Sequence, residues 1–488
     1  MKAFGLKKIT TLSIAWLLFS NDCLNAQQKW FSKFGWWGVD IGYDVIETYD
    51  GHYIVTGYTG SFTNGNSDVL LSKVHNTGWE MWTKHIGGIN NDVGKAIVQT
   101  FDTAFVIAGY TNSYGNGGYD GYLIKLNRNG DTIWTKTFGG SDWDFFNDLR
   151  ITSDSGFVMV GYTYSNSKGG KDMWIVKTDS LGHLQWEKRI GGINDDEGAS
   201  VEILQDKRIA CFGTTYSFSD PKGNYCLFKT NNNGDSLFFK EWGYPNLTDI
   251  GYDFFERPTD NAFVICGTSQ SNFGTDTTYY HQMVLDSLCN VLGDIKETGN
   301  KLKNQIVYTN AYFNTGKHYA VYDRSDYGQG KRDPNFYIFS GPWFITGTSY
   351  GSDEDDVIFS CKRTSDKGLI AVGYTKGFFG TFQEDVFIVK LDSTLFGAVK
   401  VVDVQDFNKT SVCKIYPTVT SDKIFIELTK NYSFSELFIQ DTQGRTLFYQ
   451  QALNTKETID VSTFEEGIYF INIVLDEEKY TVKILRKN

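Results

Sequence analysis

Short apolar runs broken by Gly, Asn and Asp turns dominate this chain, and they return at a fixed interval. From Trp82 to Asn127 the pattern predicts four strands, at 81–86, 96–100, 105–110 and 122–126. The third is almost wholly apolar, as a strand covered on both faces must be. The fourth runs into the turn Asn127-Arg-Asn-Gly130. Trp30, Trp82, Trp134 and Trp186 lie 52 residues apart, and Phe238 takes the next beat. The phrase Trp-Thr-Lys-His-Ile-Gly-Gly at 82 returns as Trp-Thr-Lys-Thr-Phe-Gly-Gly at 134 and Trp-Glu-Lys-Arg-Ile-Gly-Gly at 186. A repeat of this length made of strands predicts a β-propeller. A β-solenoid is the alternative, with shorter repeats and fewer hairpins.

A second marker counts the repeats. Gly-Tyr-Thr stands at 57–59, 109–111, 161–163 and 373–375, with Gly213-Thr-Thr and Gly267-Thr-Ser as worn copies. The 106 residues from Gly267 to Gly373 hold two periods, and the relic His318-Tyr-Ala-Val-Tyr-Asp-Arg-Ser marks the midpoint. Seven periods of 52 span residues 30–393. The expected fold is therefore all-β, a seven-bladed propeller of four-stranded blades followed by a small C-terminal β-sandwich. Acids recur with the same beat. Asp40, Asp92, Asp144, Asp196 and Asp249 follow the Trp strand, while Asp68, Asp120, Asp172 and Asp385, with Asn224 in the gap, precede the fourth strand. A ring of carboxylates suits a metal, but a short acid beside Gly also caps turn amides, and every blade needs that turn. The turn reading is preferred.

Composition changes this picture only at the ends and in the partners. Residues 1–26 read as a signal peptide: Lys2, Lys7 and Lys8, an apolar stretch 9–19, and the cleavage site Leu24-Asn25-Ala26. The stretch is too short to span a bilayer, and Ser20-Asn21-Asp22 lacks the small apolar residues that lipid attachment at Cys23 needs. Its removal takes three Lys and one Asp, so the net charge goes from −12 to −14. An acidic domain repels phosphate, which argues against nucleic acid. The remaining cysteines, Cys211, Cys226, Cys266, Cys289, Cys361 and Cys413, share no repeat position. Cys211 and Cys226 would face each other across one hairpin, though small apolar strand residues are the simpler reading.

The segment Asp179-Ser-Leu-Gly182-His-Leu-Gln-Trp186 resembles the quinoprotein-like and kelch-like propellers, whose blades end in Asp, Gly and a Trp that docks on the next blade. The likeness covers the blades and implies no cofactor. Near residue 404 the beat stops. Strands are expected at 423–428, 437–440, 446–450, 468–474 and 480–485. Ile415-Tyr416-Pro417, Asp441-Thr-Gln-Gly444-Arg445, Ile459-Asp-Val-Ser with Gly467-Ile-Tyr469-Phe-Ile, and Tyr480-Thr-Val-Lys483-Ile stand there in order. This tail resembles the type A C-terminal sorting domain of the type IX secretion system, with Thr418-Val419 where the family has Asn-Pro. The resemblance implies passage across the outer membrane, with Tyr416, Pro417, Asp441, Gly444, Gly467, Tyr469 and Lys483 as its motif residues. The expected organisation is a signal peptide at 1–26, the propeller at 27–393, a linker at 394–412 and the sorting domain at 413–488.

Catalytic motifs are scarce. His52, His75, His85, His183, His281 and His318 occupy different repeat positions, and no zinc helix motif is present. Gly347-Thr-Ser349-Tyr-Gly351 spells a nucleophile elbow, but that motif needs a strand–turn–helix. Two acidic groups break the beat: Asp353-Glu-Asp-Asp356, and Asp142 and Asp144 with Asn147 and Asp148. Ca²⁺ is the cofactor such groups would take, though solvated loops explain them as well. The expected function is that of a secreted or surface-displayed binding module for a glycan or protein. Its contacts are expected on loops of one propeller face, chiefly from blades five to seven. The competing reading is a polysaccharide-acting enzyme with a carboxylate pair on that face.

Overall fold

The computed structural model describes residues 29–486, apart from 36–37, 62, 64–65, 272–277, 297–305, 315–316, 325–331, 341–342, 351–353, 377–382, 393–399, 403–404, 407–412, 417–418, 421, 429, 433, 442–444 and 477. The signal peptide and Pro417 and Gly444 of the sorting motif lie outside these residues. Among the described residues the first 400 positions form seven antiparallel sheets. In the first sheet Asp40–Glu47, Tyr53–Thr59, Asp68–Val74 and Glu80–Ile86 run from the inside outward. The same meander repeats over 92–138, 144–190, 196–242, 247–296 and 306–349, and the first strands of neighbouring sheets contact one another around a ring. Blades five and six, worn in sequence, keep all four strands.

Most elements fall where the alternation puts them, but the innermost strand begins at Asp92, ahead of the expected start at 96, because its bulge interrupts the alternation, and the repeat has a different phase. The Trp strand Glu80–Ile86 does not open a blade. It pairs with Asp68–Val74 as the outer strand of the blade before it. This shift explains how the ring closes. Trp30–Phe34, at the start of the propeller, pairs antiparallel with Asp385–Leu391 and completes blade seven. One blade is thus built from both ends of the propeller segment, which closes the ring of seven sheets. Within the expected linker, Lys400–Val402 adds to the same sheet in parallel, whereas Gln405–Asp406 already pairs with the tail strand Glu478–Arg486.

The recurring residues have distinct mechanical roles. The Trp82 ring covers Gly130, in the turn of the next blade, so closely that a Cβ there would lie 3.0 Å from the ring; Gly130 also has φ +81°. The Trp30 and Trp186 indoles donate to Asn76 O (2.8 Å) and Asn232 O (2.9 Å), each in the following blade. Apolar clusters fill every gap between sheets. One joins Ile54, Val69 and Leu71 to Ile97, Phe105 and Ile124, and another closes blade seven (Val372, Val386, Ile388) onto blade one (Val45, Val55, Leu70). The Gly of Gly-Tyr-Thr answers to a β-bulge in the innermost strand. In blade two the register slips between Gly94 and Ala96, leaving Lys95 as the extra residue. The bulge presses Val93 O to 1.9 Å from the place a Cβ on Gly109 would take.

The tail has two sheets, one ordered Gln405–Asp406, Glu478–Arg486, Gly467–Leu475, Ser435–Asp441, Thr446–Gln451, the other Cys413–Tyr416, Lys423–Leu428, Lys456–Asp460. Ile424, Ile426, Leu437, Ile439, Ile471 and Ile473 from both sheets share one buried cluster. Lys456–Asp460 is a strand the sequence reading missed, since only Ile459 in it is apolar and buried. Phe438 of the tail packs on Trp79 of blade one at 5.1 Å between ring centroids, and Gln440 Nε2 donates to Met81 O (3.0 Å).

Candidate functional site

The two rows of acids converge at the blade junctions and hold turns. Asp92 accepts hydrogen bonds from the Thr111 hydroxyl, the Ser113 hydroxyl (2.6 Å) and Gly88 N (2.7 Å). Asp144, Asp196 and Asp249 make the corresponding bonds in their own blades. A Cβ on Gly191 would lie 2.2 Å from Asp172 Oδ1 and 2.7 Å from Asp196 Oδ2, so the first Gly of Gly-Gly is the space in which the two rows meet.

The acidic groups that break the beat do not form joint sites. Asp356 opens the innermost strand of blade seven and faces Thr375 as Asp40 faces Thr59, so it belongs to the turn-capping row. Asp355 pairs with Arg332 (3.5 Å), and Asp353 lies outside the described residues. Asp142 caps Trp143 N (2.9 Å), whereas Asp148 faces the propeller axis beside Arg150 (2.6 Å). Among the described residues no group of three or more His, Cys, Asp or Glu is placed to hold a metal ion. Ser349 ends an outer strand, not a strand–turn–helix, and donates to Pro334 O (3.4 Å). Cys211 and Cys226 are free and buried, and stand opposite Phe228 and Gly213 rather than each other. The loops 272–277, 297–305, 325–331, 351–353 and 377–382 of blades five to seven lie outside the described residues.

In the tail, Tyr469 is buried in the shared cluster and donates its hydroxyl to Glu465 O (2.6 Å). Asp441, at the end of one strand, holds Arg445, just before the next, through Nε (2.6 Å) and backbone N (2.9 Å). Gly467 opens a strand; Tyr416 and Lys483 lie on strands opposite Phe425 and Phe470.

Among the described residues, a run of cavities follows the propeller axis. Three cavities follow one another. A cleft of about 650 Å³ is lined by Lys171, Asp195, Glu197, Tyr216 and Tyr252. A constriction of about 90 Å³ shares Ala199 and Tyr252 with it. A cavity of about 400 Å³ beyond shares Asp44, Arg150, Asp253 and Lys362 with the constriction. The bulges build this path. Each leaves one extra residue on its inner strand, and Tyr43, Lys95, Asn147, Ala199, Tyr252 and Phe359 all line the constriction.

Aromatic rings pack in series across blades seven, one, two and three, with Phe145 and Tyr374 among them buried. Tyr374, Phe359, Tyr43 and Tyr58 follow one another at centroid spacings of 5.9, 5.0 and 6.0 Å. Tyr110, Phe145 and Tyr162 continue at 4.8 Å each, with Tyr119 and the half-exposed Trp143 alongside at 5.7 Å. The Tyr of Gly-Tyr-Thr, met in the sequence only as a counting mark, supplies four of these rings: Tyr58, Tyr110, Tyr162 and Tyr374. Burial pushes the Tyr110 and Tyr252 hydroxyls up to about 12, so they stay neutral hydrogen-bonding groups. Cations lie over the rings, Lys95 at 3.6 Å from the Tyr43 centroid and Lys171 at 4.3 Å from that of Tyr162. Lys171 also pairs with Glu197 (2.5 Å), which Asn147 Nδ2 approaches at 3.3 Å.

Blade five carries a polar substitution in its core. His281 stands where Leu70 and Trp174 stand in other blades, each opposite the repeat Gly. Its ring nitrogens meet Asp249 (3.3 Å) and Asp294 (3.1 Å), with Ser269 Oγ at 2.9 Å and the Tyr225 and Tyr244 rings at 5.0 Å. Ser269 and His281 are fully buried, so no substrate reaches the hydroxyl. Burial opposes the charge on His281, but the hydrogen bonds to Asp249 and Asp294 outweigh it and raise its pKa. A raised folded pKa contributes stability below about 6.5, lost as pH climbs through the folded value. The stability gap between wild type and His281→Gln should therefore be larger at pH 6 than at pH 8.5 in thermal melts. A gap independent of pH would show that this histidine is uncharged in the fold.

Residues 414–487 match the secretion system C-terminal sorting domain family. A search of curated proteins finds no match. Solved structures similar in fold include a fungal alcohol oxidase of the AA5 family in complex with copper, 11% identical over 95% of this chain and 100% of that one, TM-score 0.46. The polysaccharide lyase Uly1 is 11% identical over 72% of this chain and 90% of its own, TM-score 0.47. An α-L-arabinanase of Penicillium chrysogenum complexed with arabinobiose is 11% identical over 61% and 92%, TM-score 0.41. At such identities the likeness is one of fold alone.

Proposed function

We propose, for a chain that carries a type IX secretion sorting domain at 414–487 and is thereby directed to the cell surface or the extracellular space, that the propeller is a glycan-binding module. The observation that supports this most is an open cleft of about 650 Å³ lined by Tyr216 and Tyr252 with Lys171, Asp195 and Glu197, beside an aromatic series that it meets where Lys171 lies over Tyr162. Flat rings with neutral hydroxyls stack on the C–H faces of sugars and hydrogen-bond to their edges, and a few charged groups fix orientation. We take the two sheets of the tail as the small β-sandwich of the sorting domain, about 413–488, which engages the secretion machinery. The enzyme reading would draw on Asp195 and Glu197, the carboxylates lining the cleft.

Electrophoresis of the mature chain through gels containing single polysaccharides separates the two. A binding module is retarded by its polysaccharide, loses most of the retardation in Tyr162→Ala and Trp143→Ala, and leaves polymer length unchanged. New reducing or unsaturated ends in the polysaccharide, lost in Glu197→Gln, would replace this reading by the enzymatic one.

A further inference from the structure

The constriction on the axis has equal numbers of acids and bases in its wall: Asp44, Asp148 and Asp253 against Lys95, Arg150 and Lys362. Their hydrogen bonding is far from equal. Asp44 accepts from Val45 N (3.0 Å), from Ile97 N of the next blade (3.0 Å) and from the Ser360 hydroxyl (2.6 Å). Asp148 accepts from Leu149 N (2.8 Å), from Val201 N of the next blade (2.9 Å) and from Arg150 (2.6 Å). Asp253 accepts from Phe254 N (2.9 Å) and the Ser200 hydroxyl (2.9 Å). The acids are thus pins between blades, occupied by amides and hydroxyls, and a bound cation would have to displace those bonds.

The bases are placed differently. Arg150 is consumed by Asp148 and by Glu202 (2.7 Å). Lys362 comes no nearer than 3.9 Å to Asp44, too far for a hydrogen bond. Lys95, the bulge residue of blade two, lies over the Tyr43 ring, and among the described residues no oxygen accepts a hydrogen bond from its ammonium. A cavity whose acids are satisfied and whose spare groups are N–H donors is chemically an anion receptor. Its volume of about 90 Å³ suits a carboxylate and not a sugar ring, while the adjoining cleft has room for the ring.

We propose that the axial constriction binds a carboxylate through Lys95, with Lys362 facing it, so that the glycan held at the mouth carries uronic acid residues. The sugar identity rests on the glycan reading above; the anion site does not. Burial brings the Lys95 amine down to about 8, with Glu197 partly opposing that effect. The other titratable groups of the constriction are Tyr43, Asp44, Asp148, Arg150, Tyr252, Asp253 and Lys362. A neutral amine does not attract an anion, and a bound carboxylate holds the proton on Lys95, so binding is present at pH 7 and lost as pH rises above about 8.

The test is calorimetric titration of the mature chain with acetate, glucose and glucuronate, the two sugars differing only at C6. Acetate and glucuronate should bind wild type, bind Lys95→Met about tenfold or more weakly, and bind Lys95→Arg nearly as well as wild type. Glucose should be indifferent to Lys95→Met. Equal affinities for glucose and glucuronate, or unchanged glucuronate binding in a folded Lys95→Met, would overturn the anion site and leave the aromatic mouth standing. Acetate binding that depends on Lys95 with no response to either sugar would keep the anion site and overturn the uronic acid assignment.

Discussion

Gly109→Ala should destabilise the propeller by about 3 kcal/mol, at the upper end of what overpacking usually costs. The added methyl would meet Val93 O at 1.9 Å, and that oxygen is backbone held by a bulge, so no side-chain rotation relieves the contact. Relief requires the bulge to straighten. Straightening would turn Lys95 away from the axis and move the end of the strand that carries Tyr110. The effect should therefore reach ligand binding as well as stability. Gly51→Ala is the comparison: its glycine has φ +76° with nothing within 4 Å, so only the left-handed backbone is penalised, at about 1 kcal/mol. Thermal or urea unfolding should rank the two variants in that order. Equal stabilities would mean that the bulge is not what makes this glycine necessary.

Removal of residues 404–488 should abolish release, with a folded propeller accumulating in the periplasm. The tail match to the sorting family predicts the export defect, and the strand pairing predicts that the fold survives. The propeller ring closes through Trp30–Phe34 on Asp385–Leu391, without any tail strand. The cut does uncover Trp79, on which Phe438 packs, and some self-association of the truncated chain is expected. Tyr469→Ala gives a milder test, since it opens the core of the tail at a residue 5% exposed and leaves blade one covered. Immunoblots of periplasm, cell surface and medium read both variants. Normal secretion of the truncated chain would remove the sorting-domain account.

Much of the fold could be read in the sequence because the repeat imposes it. Most strand positions and the blade number over residues 30–393 follow from spacing alone. The phase of the blade did not. The Trp strand 80–86 is flanked by connections 75–79 and 87–91 of equal length, so nothing local says which neighbour it joins. Only the pairing to Asp68–Val74 decides. Lys456–Asp460 escaped because an edge strand with one buried residue has no alternation to read.

The site was hidden for a different reason. Tyr58, Tyr110, Tyr162 and Tyr374 repeat with the beat and serve in the sequence only as a counting mark, whereas in the fold they join one aromatic series with residues of the bulged inner strands. A signal was nevertheless present. In Asp40-Ile-Gly-Tyr, Asp92-Val-Gly-Lys, Asp144-Phe-Phe-Asn, Asp196-Glu-Gly-Ala and Asp249-Ile-Gly-Tyr the fourth residue changes from blade to blade. That is the bulge residue, and its variety is what gives the axis its chemistry.

The central claim is that the aromatic mouth holds a sugar. A glycan array probed with the mature chain and with the Tyr110→Ala/Tyr162→Ala double variant tests it most directly. The account predicts binding to a restricted set of oligosaccharides, reduced at least about tenfold in a double variant that still melts cooperatively. An array on which wild type and variant bind the same glycans equally well would contradict it.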